Sequence, residues 1–249
     1  MSTDYDRIAR EYQASKLQPW RTHVERHTLL ELLGDVRGLS TLDLACGEGY
    51  YTRLLRQLGA EPVVGVDLSR GMIELAEAQE AAQPLGITYQ AGDARAVDLG
   101  PCRDLVFAAY LLNYSEDYDQ LLAMCEAIAR NLKPGGRFVT VNNQPNDPPS
   151  NFETGRAYGY SKRLEAGRAE PLREGDPIIW SFHLPEGSIE VTNYYLAEAT
   201  VERALRAAGL QDIRWHLPRV SPAGLQEFGE THWRPLLACP PIAFLECHR

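Results

Sequence analysis

The stretch Leu42-Asp43-Leu44-Ala45-Cys46-Gly47-Glu48-Gly49-Tyr50-Tyr51-Thr52 constrains the fold of this chain more than any other. A short apolar run stops at Gly47 and Gly49, and helix-compatible residues follow. That order predicts a buried strand, a tight turn and a helix, which is the cradle that α/β sheets offer to nucleotide-type cofactors. Small residues in the turn let the backbone pass close to a ligand, because a Cβ there would collide with it. Further on, Val63-Val64-Gly65-Val66-Asp67 predicts a second buried strand with a carboxylate at its end. A carboxylate at that place can accept hydrogen bonds from both hydroxyls of a ribose.

The same turn argues against a dinucleotide. The third glycine of a G-x-G-x-x-G fingerprint is replaced by Thr52. Asp43 before the turn and Glu48 within it suit a cofactor with a cationic end better than a pyrophosphate. S-adenosylmethionine carries an ammonium and a sulfonium and no phosphate.

The rest of the chain continues the alternation. Residues 4–34 read as helical, with aromatics and cations interleaved: Tyr5, Tyr12, Lys16, Trp20, Arg21, His23 and His27. Strand 41–46 precedes a helix at about 50–58, and strand 62–67 a helix at 69–82 with Ser69 as its cap. Strand 87–92 ends at Gly92-Asp93, and strand 104–109 leads to a helix at about 117–131. Strand 136–142 follows Lys133-Pro134-Gly135-Gly136, a run that reads as helix termination and a turn. Short apolar strands alternating with helices imply a parallel sheet covered on both faces. The pattern breaks after Asn143, where prolines, glycines and charges dominate. Residues 178–184 and 189–195 then read as an antiparallel hairpin. A helix at 198–208 closed by Gly209 and strands at 211–217 and 241–247 complete the domain. Residues 143–195 are thus expected to be a cap insert, residues 1–34 a helical lid, and 218–240 a Pro- and Gly-rich connection.

Composition narrows the function. A net charge of −9 disfavours a nucleic-acid groove. The five cysteines are scattered without a C-x-x-C pair, so neither a zinc site nor a disulfide framework is indicated. His23 and His27 have metal-ligand spacing on a helix but read as a solvated face, so no metal is expected. The polar N-terminus has no signal-peptide core and no apolar run is long enough to span a bilayer, so a cytoplasmic location is expected.

This order of segments resembles the class I S-adenosylmethionine-dependent methyltransferases. The matching pieces are Leu42 to Gly49, Gly65-Val66-Asp67-Leu68-Ser69, Ala91-Gly92-Asp93-Ala94 and Leu132-Lys133-Pro134-Gly135-Gly136-Arg137-Phe138. Ala45 stands where many members have glycine. The resemblance implies a Rossmann-like seven-stranded sheet, mostly parallel, with an antiparallel last strand. It implies S-adenosylmethionine as cofactor. Asp67 and Leu68 would border the ribose, Met72 would lie on the adenine face, and Asp93 and Ala94 would read the adenine edge. Ala45 and Gly47 would approach the methionine part, and Arg21 its carboxylate, with Tyr5, Tyr12, Ala109 and Tyr114 completing the set.

A narrower similarity links Phe107 to Tyr114, and the opening Tyr5-Asp6-Arg7-Ile8-Ala9, to the toxoflavin-type methyltransferases, which N-methylate a pyrimidotriazine. Ala109-Tyr110-Leu111-Leu112 stands where nucleic-acid amino-methylating enzymes usually carry Asp/Asn-Pro-Pro-aromatic. A small, heteroaromatic acceptor is therefore expected, N-methylated first and O-methylated second. A non-catalytic S-adenosylmethionine-binding protein is the rival. Trp20, Tyr110, Phe182 and Tyr195 are candidate stacking residues, with Asn113 and Asn143 orienting polar edges. Methyl transfer needs a base only if the acceptor loses a proton, and His183 and Tyr194 are the candidates.

Overall fold

The structure is a computed structural model that describes residues 11–165, 171–185 and 187–249. Tyr5 lies outside the described residues. The strands are β1 (Thr41–Leu44), β2 (Val63–Asp67), β3 (Thr88–Ala91), β4 (Arg103–Ala109), β5 (Leu132–Asn143), β6 (Tyr160–Leu164), β7 (Pro177–Leu184), β8 (Gly187–Tyr194), β9 (Gln211–His216) and β10 (Ile242–His248). Seven of them form one sheet in the order β3-β2-β1-β4-β5-β10-β9. β1 to β5 run parallel, and β10 is antiparallel to both neighbours. This is the expected Rossmann-like arrangement.

Alternation along each strand sorts the apolar residues into two cores, one per sheet face. Leu105 and Phe107 of β4 enter one core, Val106 and Ala108 the other. In β10, Ile242 and Phe244 share the first core, whereas Leu245 and Cys247 share the second. Helices cover both faces, including α1 (Arg26–Leu33), α2 (Tyr50–Gln57), α3 (Arg70–Ala82), α4 (Tyr118–Asn131) and α5 (Glu198–Ala207). Their N-caps follow from sequence. The Ser69 hydroxyl accepts the Met72 N–H at 3.1 Å, and Asp117 accepts the Gln120 N–H at 2.8 Å.

Three sequence expectations change. Lys133-Pro134-Gly135-Gly136 follows the end of α4 at Asn131 as expected, but β5 takes the run in as a bulge, where the register to β4 shifts between Arg103 and Leu105. The connection 218–240 holds two helices, α6 (Pro222–Phe228) and α7 (Glu230–Ala238). Proline suits the first turn of α6 because its missing N–H would be unpaired there anyway, and Ser221 caps the helix through the Gly224 N–H at 3.0 Å. The hairpin of β7 and β8 gains a third strand, β6, which the sequence hid behind Ser161 and Lys162. Both are buried, and Lys162 is satisfied by a salt bridge to Asp147. The segment before α1 is helical at residues 11–15 and forms a π-helical turn at Arg21–Glu25.

Candidate active site

A cavity of about 380 Å³ opens at the carboxyl ends of β1, β2 and β4, and Tyr12, Lys16, Thr192 and Tyr194 form its far side. The crevice at the carboxyl ends of the strands is where an open α/β sheet binds ligands. Its floor is the turn after β1. Ala45 and Gly47 both take φ of +58°, which the tight reversal requires. The two glycines of the motif do different work. A Cβ on Gly49 would sit 2.4 Å from the Tyr89 hydroxyl, so that glycine accommodates packing. A Cβ on Gly47 would meet only Lys16 Nζ, at 3.7 Å, and would project into the space a ligand needs.

Asp67 stands at the end of β2 and ties this turn to the next. One carboxylate oxygen accepts the Gly47 N–H at 2.8 Å, the other the Ser69 N–H at 2.9 Å. Burial raises its pKa while these two amides oppose the rise. Met72 is buried one turn into α3 and lines the cavity, as do Leu68, Ala94 and Ala109. Asp93 also lines it, and Arg95 grips its carboxylate, Nη2 to Oδ2 at 2.6 Å, which holds the acid below its ordinary range.

Charges concentrate around Gly47. Lys16 Nζ pairs with Glu48 Oε2 at 3.1 Å, and both side chains are at least nine-tenths buried. The rings of Tyr12 and Tyr50 stand 5.4 and 5.5 Å from the ammonium. Burial is the largest influence and lowers the Lys16 pKa, but the Glu48 charge, Tyr12 and the hydrogen bond to Glu48 together outweigh it and the net shift is upward. Glu48 Oε1 is buried without a partner among the described residues. Burial pushes Asp43 up to about 7, although the Thr52 hydroxyl donates to it at 2.6 Å.

Arg21 lines the cavity, but its fork is taken. Nε and Nη2 donate to Glu25 at 3.0 and 3.3 Å, and Nη1 to the Ser15 hydroxyl at 3.1 Å. Among the described residues, Lys16 is the cation beside Gly47, and Arg21 is held by Glu25 and Ser15. Tyr110 and Tyr114 line the cavity from the end of β4, and Tyr194 from β8. The Tyr194 hydroxyl donates to Glu116 at 3.0 Å, and burial pushes its pKa up to about 12.

Other expected site residues stand apart. Trp20 is buried, donates to Gln18 at 3.0 Å and packs on Tyr160 at 4.9 Å between ring centroids, away from the cavity. Asn113, Asn143 and Tyr195 line a separate void of about 30 Å³. Phe182 borders a crevice of about 10 Å³ shared with Tyr12, Arg21 and Tyr110. His183 borders no described cavity, and its ring nitrogens face the hydroxyls of Ser161 and Ser188, each at 3.1 Å. It is placed as a strand-to-strand link, not as a base. Among the described residues no group of three His, Cys, Asp or Glu side chains could hold a metal ion. No helix among them is long and apolar enough to cross a membrane.

Lys16 and Glu25 were missed as site residues. A signal existed, since Lys16 follows Tyr12, and Glu25 follows Arg21, by four positions each. That spacing does not reveal that the pairs are buried.

Residues 41–136 match the family described as "Methyltransferase domain". The N-demethylindolmycin N-methyltransferase of Streptomyces griseus is 28% identical over 185 residues, covering 71% of this chain and 72% of that protein. The demethylmenaquinone methyltransferase of Lactococcus lactis is 34% identical over 146 residues, and the match spans 57% of this chain and 54% of that protein. In fold, the chain is similar to an S-adenosylmethionine-dependent methyltransferase of Mesorhizobium loti, with a TM-score of 0.63 and 22% identity over 94% of this chain and 100% of that one.

Proposed function

We propose that this chain, whose residues 41–136 match a methyltransferase domain, is a class I S-adenosylmethionine-dependent methyltransferase and that it methylates a small heteroaromatic metabolite, at nitrogen in preference to oxygen. The observation that carries the acceptor class is the aromatic character of the cavity beyond Gly47 and Asp67. Tyr12, Tyr110, Tyr114 and Tyr194 stand around it. Such walls suit a planar, partly apolar ring held by stacking. Relatedness to a protein named for N-methylation of N-demethylindolmycin supports nitrogen as the target. The acidic chain, net charge −9, fits a small acceptor better than a nucleic acid, and five free cysteines fit a reducing cytoplasm.

The residues present fit the cofactor. Gly47 leaves open the space a side chain would fill. Asp67, held by two amides, would accept from a pair of ribose hydroxyls. Met72 would offer a soft face to the adenine, and Asp93 and Ala94, which line the same cavity, would supply its edge contacts. Lys16 would take the methionine carboxylate, while Asp43 and the unpartnered oxygen of Glu48 would take the ammonium. When bound, S-adenosylmethionine supplies a methyl group on a sulfonium, whose S–CH₃ bond breaks with its electron pair left on sulfur. The protein aligns the acceptor, excludes water and surrounds the reacting centre with aromatic faces.

Residues 11–34 and 143–195 act in this reading as lid and cap. Gln18 joins them, donating to the carbonyls of Gly159 at 2.8 Å and His183 at 3.2 Å. The test is mass spectrometry of S-adenosylmethionine incubated with the enzyme and a demethylated toxoflavin-type pyrimidotriazine. A gain of one or two methyl groups is expected. No gain, with S-adenosylhomocysteine still bound, overturns the heteroaromatic reading and directs the search to phenols and carboxylic acids.

A further inference from the structure

We propose that Tyr110 and Glu25 form a proton relay that draws the proton from the acceptor's N–H group, so that the natural acceptor is one that must lose a proton on methylation. The inference rests on the heteroaromatic N-methylation reading and adds to it a base and an acceptor property.

Glu25 is 1% exposed and lies at the end of the π-helical turn. π-helical turns are frequent at functional sites. Its carboxylate accepts from Arg21 at 3.0 and 3.3 Å, from the Tyr51 hydroxyl at 2.7 Å and from the Tyr110 hydroxyl. A single buried carboxylate thus gathers one guanidinium and two phenols, and both phenols belong to rings that line the main cavity. The two differ in place. Tyr51 lies toward the Lys16 ammonium, 6.0 Å from its ring. Tyr110 lies at the end of β4 and borders both the main cavity and the crevice beneath Phe182. It is also a non-glycine residue with φ of +64°, a conformation kept only where the surroundings enforce it. Its N–H donates to the Val141 carbonyl at 2.8 Å, which fixes that turn of the chain.

Among the described residues, the charged and titratable groups facing Tyr110 are Glu25, Arg21, whose guanidinium stands 5.4 Å from the ring, Tyr12 and Tyr51. The residues that face it across the crevice from β7 and β8 are Trp180, Phe182, Val191 and Asn193, which do not titrate near neutral pH. Burial and the Glu25 charge push the Tyr110 phenol well up, so it keeps its proton at rest. It can therefore accept a proton only by handing its own to Glu25, which the existing hydrogen bond allows. As the acceptor nitrogen takes the methyl group, its N–H bond breaks and the electron pair stays on nitrogen. The proton passes to the Tyr110 oxygen while the phenolic proton passes to a Glu25 oxygen. Glu25 ends protonated at the oxygen facing Tyr110, so Arg21 loses its counter-charge but keeps its bonds to the other Glu25 oxygen and to the Ser15 hydroxyl. Release of that proton to water resets the site.

The test is a pH profile of kcat for the wild type and Tyr110→Phe with the demethylated pyrimidotriazine, together with S-adenosylhomocysteine affinity by calorimetry. Tyr110→Phe should be slowed about 100-fold at pH 7, within the range for losing a general base. The loss should shrink as pH rises and vanish once the probe's own N–H ionises. S-adenosylhomocysteine affinity should stay the same. Glu25→Gln, if it folds, should give the same profile, and Tyr110→Phe decides alone if it does not. A loss equal at every pH, or no loss, overturns the relay and leaves the methylation reading standing. A wild-type enzyme that binds S-adenosylhomocysteine yet is inert toward the probe overturns that reading and the relay with it.

Discussion

The wall of the cavity built from the ends of β1 and β2 is held by main-chain contacts, whereas the wall built from residues 11–33 is held by buried side-chain pairs. On the first wall, the Cys46 N–H reaches Val66 O at 3.0 Å, and Asp67 takes the amides of Gly47 and Ser69. On the second, Lys16 needs Glu48, and Arg21 needs Glu25. Main-chain contacts survive most side-chain changes. A buried ion pair does not, because removing one partner strands the other charge in a medium that cannot solvate it. The second wall should therefore be the fragile one.

The largest effect follows directly. Glu25→Ala leaves the Arg21 guanidinium, 2% exposed, with its main counter-charge gone. Unfolding free energy should fall by about 3–5 kcal/mol, measured by chemical denaturation. A loss below about 1 kcal/mol would mean that this wall tolerates truncation as the other does.

Asp43 sharpens the contrast from the first wall, since it is 1% exposed there and has no salt bridge among the described residues. Its folded pKa of about 7 lies above the ordinary value of about 3.9. At pH below about 4 the acid is protonated in both folded and unfolded chains and contributes nothing. Between about 4 and 7 the unfolded chain ionises first, so stability is lost as pH rises, by up to about 4 kcal/mol at pH 7. Asp43→Asn does not titrate, and its amide oxygen can still accept the Thr52 hydroxyl. The variant should match the wild type near pH 4 and exceed it in stability at pH 8. Equal stability at both pH values would show that Asp43 is not buried as described.

Asp67→Ala probes the main-chain wall at the carboxylate that ties its two turns together. The fold should hold, because the turn keeps its Cys46 and Gly49 amide bonds. Affinity for S-adenosylhomocysteine should fall by roughly 1–3 kcal/mol by calorimetry, the scale for losing a hydrogen-bonded charged group. Unchanged affinity would remove Asp67 from the site.

The same contrast explains what could be read from the sequence. Gly47, Asp67 and Met72 sit where a strand, a turn and a helix follow one another locally, so local order together with the family resemblance places them at one cavity. Lys16 and Glu25 depend on which face of an irregular helical segment turns inward, and that is set by residues 48, 51 and 110. α6 and α7 were hidden by Pro222 and Pro235, because proline content reads as loop although one proline sits at a helix start and the other is tolerated inside a helix. β6 was hidden by polar residues that are buried only because β7 pairs with it and Asp147 neutralises Lys162.

The smallest expected effect is at His183, and it separates the two kinds of wall from the cap strands behind them. A histidine within an aromatic hairpin reads as a base in sequence. Here its nitrogens are taken by Ser161 and Ser188, on the strands that flank β7, and it lines no described cavity. Its contact with the second wall runs through its main-chain carbonyl, which accepts from Gln18 and which His183→Ala keeps. The variant should lose about 1 kcal/mol of stability, the worth of ordinary hydrogen bonds, read as a small shift in the denaturation midpoint. S-adenosylhomocysteine affinity and the pH dependence of turnover should not move. A changed pH profile in this variant would mean that protons leave the site through the cap, and would transfer to His183 the part assigned to Tyr110.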